Sequence, residues 1–85
     1  MYVIAAFRSR NQTLMFSNIL SSYGIKTDVV NTPRAVMVSC GISVKFDYVN
    51  LQRAKEVLDR RKFDTFAGFF EVSGSYQRFS VRRIG

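Results

Sequence analysis

The spacing of apolar residues changes along this chain, and that change is the strongest constraint on its fold. Residues 2–7 form a nearly continuous apolar run, typical of a strand that is covered on both faces. A stripe at helical spacing follows, formed by Phe16, Ile19, Leu20 and Tyr23. From Val36 to Phe46 every second residue is apolar, which is the period of a strand. These patterns together predict an α+β fold.

Capping residues place the first helix. Ser9 and Gln12 have the spacing of a capping box, in which the two side chains satisfy free backbone N–H groups at a helix start. Gly24 supplies the left-handed conformation that ends many helices. The sequence therefore predicts a helix over about residues 10–23.

The middle of the chain predicts two further strands and a second helix. Ile25–Asn31 reads as a strand that ends before Pro33, and residues 42–46 at least form the next one. Asp47 is a plausible N-cap for the second helix, which we expect to end near Lys62.

The last part of the chain, about residues 63–85, predicts one more strand or a hairpin. Phe66, Gly68, Phe70 and Val72 alternate with their neighbours, so we expect them to share one face. Residues 73–75, with the sequence Ser-Gly-Ser, predict the turn of the hairpin.

The order of these elements predicts one domain over residues 1–85. It corresponds to a ferredoxin-like βαββαβ sandwich with an antiparallel sheet and an extra C-terminal strand. Both helices would cover one face of this sheet. The other face would stay open for a partner, including a second copy of the chain.

Composition excludes several classes of function. Thirteen Lys and Arg against six Asp and Glu give a net charge of +7, which favours encounter with anionic partners. The absence of histidine excludes triad hydrolases of the usual type and His-based metal sites. The apolar run at the N-terminus is too short for a signal peptide, and no stretch is long enough to span a membrane.

The only cysteine, Cys40, is the candidate for chemistry. It has no intrachain disulfide partner, which favours a reducing compartment and hence the cytoplasm. If Val36–Phe46 were one unbroken strand, Cys40 would face the core as a small hydrophobic residue. Gly41 instead favours a break in the strand. Arg34 lies six residues before Cys40, about 20 Å away in an extended strand, so it reaches the thiol only if the chain bends.

The motif around Cys40 resembles that of a known family. Pro33-Arg34, five intervening residues and Cys40-Gly41, followed by an apolar strand, are similar to the putative selenium/sulfur carrier protein-like family over about residues 2–60. The resemblance implies that Cys40 holds sulfur or selenium as a persulfide or selenopersulfide. The glycine of the family maps to Gly41, and its Pro-Arg pair maps to Pro33 and Arg34. Independently of the family, Gly41 would shape the loop and Arg34 would favour the thiolate by its charge.

The same resemblance implies a non-enzymatic role. Such a carrier receives sulfur or selenium from a donor protein and passes it to an acceptor protein. Apart from the covalently bound atom, no cofactor or metal is expected.

A basic binding module is the alternative function, with Cys40 structural and a nucleic acid or an acidic protein as partner. The net charge and the aromatic residues of the segment 66–70 favour it. However, the aromatic strand of an RNA-recognition motif precedes the second helix, whereas this segment follows it. We therefore expect Phe66 and Phe70 to be core residues.

Overall fold

The structure, a computed structural model, describes residues 1–75 and 78–85 and has an α+β fold. Its strands are β1 (Tyr2–Phe7), β2 (Asp28–Asn31), β3 (Ile42–Asp47), β4 (Phe66–Ser75) and β5 (Arg78–Arg83), and its helices are α1 (Arg10–Ser22) and α2 (Leu51–Arg60). The strands form one five-stranded sheet in the order β2-β3-β1-β4-β5. All four pairings are antiparallel.

β1 is the central strand, and both of its faces are covered. Val3, Ala5 and Phe7 belong to a core cluster with residues of α1 and α2. Ile4 and Ala6 belong to a second cluster on the opposite face. All five residues are fully buried, which explains why the segment is apolar without alternation.

α1 begins and ends close to the predicted positions. The Ser9 hydroxyl accepts a hydrogen bond from the backbone N–H of Gln12 at 3.3 Å. The other half of the predicted capping box is missing, because the Gln12 amide bonds to Asp64 and Thr65 instead. Gln12 thus joins the first turn of α1 to the segment after α2.

β2 is shorter than predicted because its expected first residue belongs to the helix end. Gly24 has a φ of 79°, and the N–H of Ile25 donates to the carbonyl of Leu20 at 3.1 Å. This arrangement is a Schellman motif. It places Ile25 in the helix-side core beside Leu20, and pairing with β3 starts only at Asp28.

The second helical segment starts with a single 3₁₀ turn. Asp47 is an N-cap as predicted, since its carboxylate accepts from the N–H of Val49 at 2.9 Å. However, it caps the 3₁₀ turn Tyr48–Asn50, and α2 follows and ends at Arg60, two residues before Lys62.

The expectation that Phe66 and Phe70 share one face is wrong. The pairing of β1 with β4 shifts register after Ala6, and Gly68 nearby has a φ of 150°. Such a bulge inserts a residue and reverses the alternation beyond it. Phe66 therefore packs on the helix side, whereas Phe70 packs on the opposite side.

The C-terminal hairpin is present, but its turn is not at residues 73–75. These three residues continue β4 and pair with residues 78–80 of β5. The prediction of a turn at these residues is therefore wrong, because strand pairing continues through Ser75.

The face opposite the helices is not open as predicted. Val36, from the connection between β2 and β3, is buried there against Ile4, Ala6 and Val72, and Val38 packs beside it. Partly buried residues remain at the margin, among them Tyr2 and Phe70. Neither α1 nor α2, the helices of the described residues, is long and apolar enough to cross a membrane.

Candidate functional site

Residues 32–41, which we name the Cys40 loop, connect β2 to β3. The backbone N–H of Thr32 donates to the carbonyl of Gly41 at 2.9 Å, and this bond holds the two ends of the loop together. The hydroxyl oxygens of Thr32 and Ser43 form a hydrogen bond and are 2.7 Å apart. A turn follows in which the N–H of Val36 donates to the carbonyl of Pro33 at 2.9 Å. The chain is therefore bent between Arg34 and Cys40, and no unbroken strand runs from Val36 to Phe46.

Cys40 lies where the loop returns to the sheet. Its residue surface is 8% exposed, so the thiol is largely covered. Neither core cluster of the described residues includes Cys40. The sulfur instead lies 3.9 Å from the hydroxyl oxygen of Thr13, in the first half of α1.

Thr13 is a site residue that sequence reasoning missed. It is fully buried, and its hydroxyl donates to the carbonyl of Ser9 at 2.9 Å. The buried residues of α1 are Thr13, Phe16, Ser17 and Leu20. Thr13 precedes Phe16 by three positions and Leu20 by seven, so helical spacing alone could have placed it on the buried stripe.

All four residues of the predicted motif line one cleft. Pro33, Arg34, Cys40 and Gly41 surround a space of about 470 Å³ together with Thr32, Val36, Met37 and Val38. Arg34 is exposed, and it forms no ion pair with any carboxylate of the described residues. The bend thus brings a free cation and the thiol to the same cleft.

Gly41 does not have a conformation that only glycine adopts. Its φ is not positive, and a Cβ built on it would meet no atom within 4 Å. The predicted role of Gly41 in shaping the loop is therefore not supported by its backbone. What this glycine provides is open space beside Cys40.

The end of the molecule that bears Cys40 is positively charged. β1 ends and β3 begins at this end, since Ala6 pairs with Ser43. The segment after α2 lies there too, because the N–H of Arg8 donates to the carbonyl of Thr65 at 2.7 Å. We name as the basic end the five exposed cations Arg8, Arg10, Arg34, Arg61 and Lys62. Only two carboxylates of the described residues, Asp59 and Asp64, accompany them.

The described residues hold no group of three or more side chains of the kinds that bind metal ions. Cys40 is the one thiol in the chain, and it lies in a cleft with an arginine and a glycine. Such a site can form a covalent bond through sulfur.

The fold and the site define a small α+β protein with a single free cysteine at the end of an antiparallel sheet. The chain belongs to the family described as "Putative Se/S carrier protein-like", whose model matches residues 2–68. Searches of curated proteins and of solved structures found no match.

Proposed function

We propose that this protein carries sulfur or selenium on Cys40, as a persulfide or selenopersulfide. The observation that carries the proposal is the position of the thiol, outside both core clusters and lining a cleft with Arg34. Membership of the family supports the same function. The cytoplasm, as a reducing compartment, is part of this proposal because the thiol must stay free.

The transfer balances without an added oxidant when the donor is itself a persulfide. The Cys40 thiolate attacks the outer sulfur of the donor persulfide and forms a new S–S bond. The S–S bond of the donor breaks, and its cysteine leaves as a thiolate with the electron pair. Attack by an acceptor thiolate on the outer sulfur of the Cys40 persulfide releases the Cys40 thiolate again.

The residues around Cys40 have distinct roles in this proposal. Arg34 attracts the negatively charged persulfide of the donor and stays beside the negatively charged persulfide on Cys40 after transfer. Pro33 begins the turn that brings Arg34 back towards the cleft. Gly41 leaves room for the donor and acceptor groups to approach the sulfur.

We also infer that the fold is ferredoxin-like. The strand order β2-β3-β1-β4, with both helices packed on one face, supports this inference, and β5 extends the sheet at one edge. A homodimer through the opposite face stays a prediction, restricted to residues that the Cys40 loop leaves uncovered.

The experiment is a loading assay with a purified cysteine desulfurase and L-cysteine, followed by mass spectrometry of the intact protein. The parent is expected to gain the mass of one sulfur atom, which a reductant removes, and Cys40→Ser is expected to gain none. Selenocysteine with a selenocysteine lyase tests selenium in the same way. Equal uptake by Cys40→Ser would exclude the carrier function.

Arg34→Gln tests the electrostatic role in the same assay. Its initial rate is expected to fall several-fold, because the cleft loses the cation that attracts the anionic donor persulfide. Arg61→Gln is the matched control, since Arg61 is also an exposed cation of the basic end but does not line the cleft. Equal rates for these two variants would contradict a role for Arg34.

The alternative function is a basic binding module for nucleic acid or an acidic protein, with Cys40 structural. The basic end favours it. A salt-sensitive gel shift with RNA that Cys40→Ser leaves unchanged would support this alternative, provided that no sulfur or selenium loads on the parent.

A further inference from the structure

Met37 is an apolar side chain held in solvent beside the cleft of Cys40. It is 95% exposed, the largest value among the exposed large hydrophobic residues of the described chain. Its two neighbours, Val36 and Val38, pack towards the sheet. The N–H of Val38 donates to the carbonyl of Val36 at 3.0 Å, which places Met37 at the apex of a γ-turn. Since no described non-glycine residue has a positive φ, the turn is of the unstrained inverse type.

This arrangement holds the backbone of Met37 in a fixed position on the surface. The anchored valines and the hydrogen bond between them fix the backbone on either side. When a partner buries Met37, the loop therefore loses little conformational entropy. An unbranched thioether side chain also adapts to different apolar surfaces.

The positive charge around the cleft favours an acidic partner. Arg34 lines the same cleft as Met37, and residues 29–46 contain no Asp or Glu. The other cations of the basic end lie at the same end of the sheet. An acidic surface would meet complementary charge on approach.

We propose that the Cys40 loop docks an acidic segment of a partner protein, with Met37 as its apolar anchor and Arg34 as its ionic contact. The inference rests on the proposed function only in that a donor or acceptor protein must approach Cys40. The cleft of about 470 Å³ beside Met37 has room for a large apolar side chain from the partner.

Two other occupants fit less well. A second copy of the chain would bring one basic end against another, at a net charge of +7 each. Single-stranded nucleic acid binds by stacking bases on exposed aromatic rings. The exposed tyrosines of the described residues, Tyr23 and Tyr48, follow the last turn of α1 and the end of β3, and so lie at the opposite end of the sheet.

The experiment selects a random dodecapeptide library on phage against the reduced full-length protein, without any sulfur donor. The selected peptides are then synthesised, and their Kd is measured by calorimetry at low and high salt. We expect peptides with several Asp or Glu residues and a large apolar residue. Met37→Ser is expected to raise Kd about ten-fold or more, because it removes most of the apolar contact.

One control variant and one variant of the ionic contact make the readout specific. Met15→Ser changes another exposed methionine, which is 50% exposed on α1 and does not line the cleft, and we expect an unchanged Kd. Arg34→Gln is expected to raise Kd several-fold and to reduce its salt dependence, because an ionic contact is lost.

Several outcomes would overturn the inference. The selected peptides could lack acidic residues, or Met37→Ser and Met15→Ser could have equal Kd values. A dimer in sedimentation that Met37→Ser dissociates would show that a second copy occupies the site. Binding of single-stranded RNA that Met37→Ser weakens as much as peptide binding would show that a nucleic acid does. Cys40→Ser cannot be loaded with sulfur and is expected to bind the peptides as the parent does. Failure of the carrier function is therefore separable from failure of docking.

Discussion

The hydroxyl oxygen of Thr13 lies 3.9 Å from the sulfur of Cys40 and 2.9 Å from the carbonyl oxygen of Ser9. When the Thr13 hydroxyl donates to Ser9, its one hydrogen is used, and the Cys40 thiol is then the donor in the contact with Thr13. A thiolate or a persulfide anion has no such hydrogen. Ionisation of Cys40 therefore favours rotation of the Thr13 hydroxyl from Ser9 to the sulfur.

Thr13→Val is expected to slow the reaction of Cys40 with iodoacetamide about ten-fold at fixed pH, because the thiolate loses a hydrogen-bond donor. The free energy of unfolding should fall by about 1 kcal/mol through the lost bond to Ser9. Thr13→Ser keeps the hydroxyl, so its alkylation rate should match the parent even if its stability is lower. Parent-like alkylation of Thr13→Val would show that the hydroxyl does not contact the reacting sulfur.

Val36→Ala and Met37→Ala form a matched pair of adjacent positions. Val36 is 4% exposed within the second cluster, so its truncation is expected to cost about 2 kcal/mol of unfolding free energy. Met37→Ala should change stability by less than about 0.5 kcal/mol, as for other exposed positions. Urea denaturation measures both values. Similar losses for the two variants would mean that the loop is not anchored as described.

Gln12→Ala tests the link between α1 and the segment after α2. The side-chain amide donates to the carboxylate of Asp64, and its oxygen accepts from the N–H and hydroxyl of Thr65. Loss of these bonds is expected to lower the free energy of unfolding by about 1–2 kcal/mol. Asn11→Ala, at the exposed neighbouring position, is the control and should be nearly neutral. Equal stabilities of the two variants in urea would exclude a structural role for the link.

Gly68→Ala and Gly41→Ala compare a glycine whose φ is positive with one whose φ is not. A Cβ at Gly68 would lie 3.2 Å from atoms of Phe70 and Arg83, at a φ of 150°. Its substitution is expected to cost about 1–3 kcal/mol, since L-residues rarely adopt this conformation. Gly41→Ala should change stability by less than about 0.5 kcal/mol. Thermal unfolding compares the two, and a large loss in Gly41→Ala would contradict the open space found beside Cys40.

The helices and strands were predictable from the sequence because local periodicity and caps determine them. The apolar run of β1, the helical stripe before Gly24 and the alternation after Gly41 each depend on residues close in the chain. The errors arise where distant residues decide. The bulge near Gly68 depends on pairing with β1. The Gln12 side chain bonds to Thr65 instead of capping its own helix.

The candidate site was predictable in its motif but not in its geometry. The spacing of Arg34 and Cys40 made a bend necessary for their approach, and the loop has that bend. The contact of Cys40 with Thr13 joins residues 27 positions apart and depends on how α1 packs over the sheet. The alternating pattern of residues 36–46 places Met37 opposite Val36 and Val38, but it does not indicate the γ-turn or the position beside the cleft.

The two-sided burial of β1 also sets the order in which parts of the molecule open. Its amide hydrogens are paired on both edges and covered on both faces, so they should exchange with solvent deuterium only on global unfolding. The Cys40 loop lies outside the strand pairings, so we expect it to open locally at a lower free energy than β1. Substitutions at exposed loop positions can therefore change how often Cys40 meets solvent without changing the melting temperature.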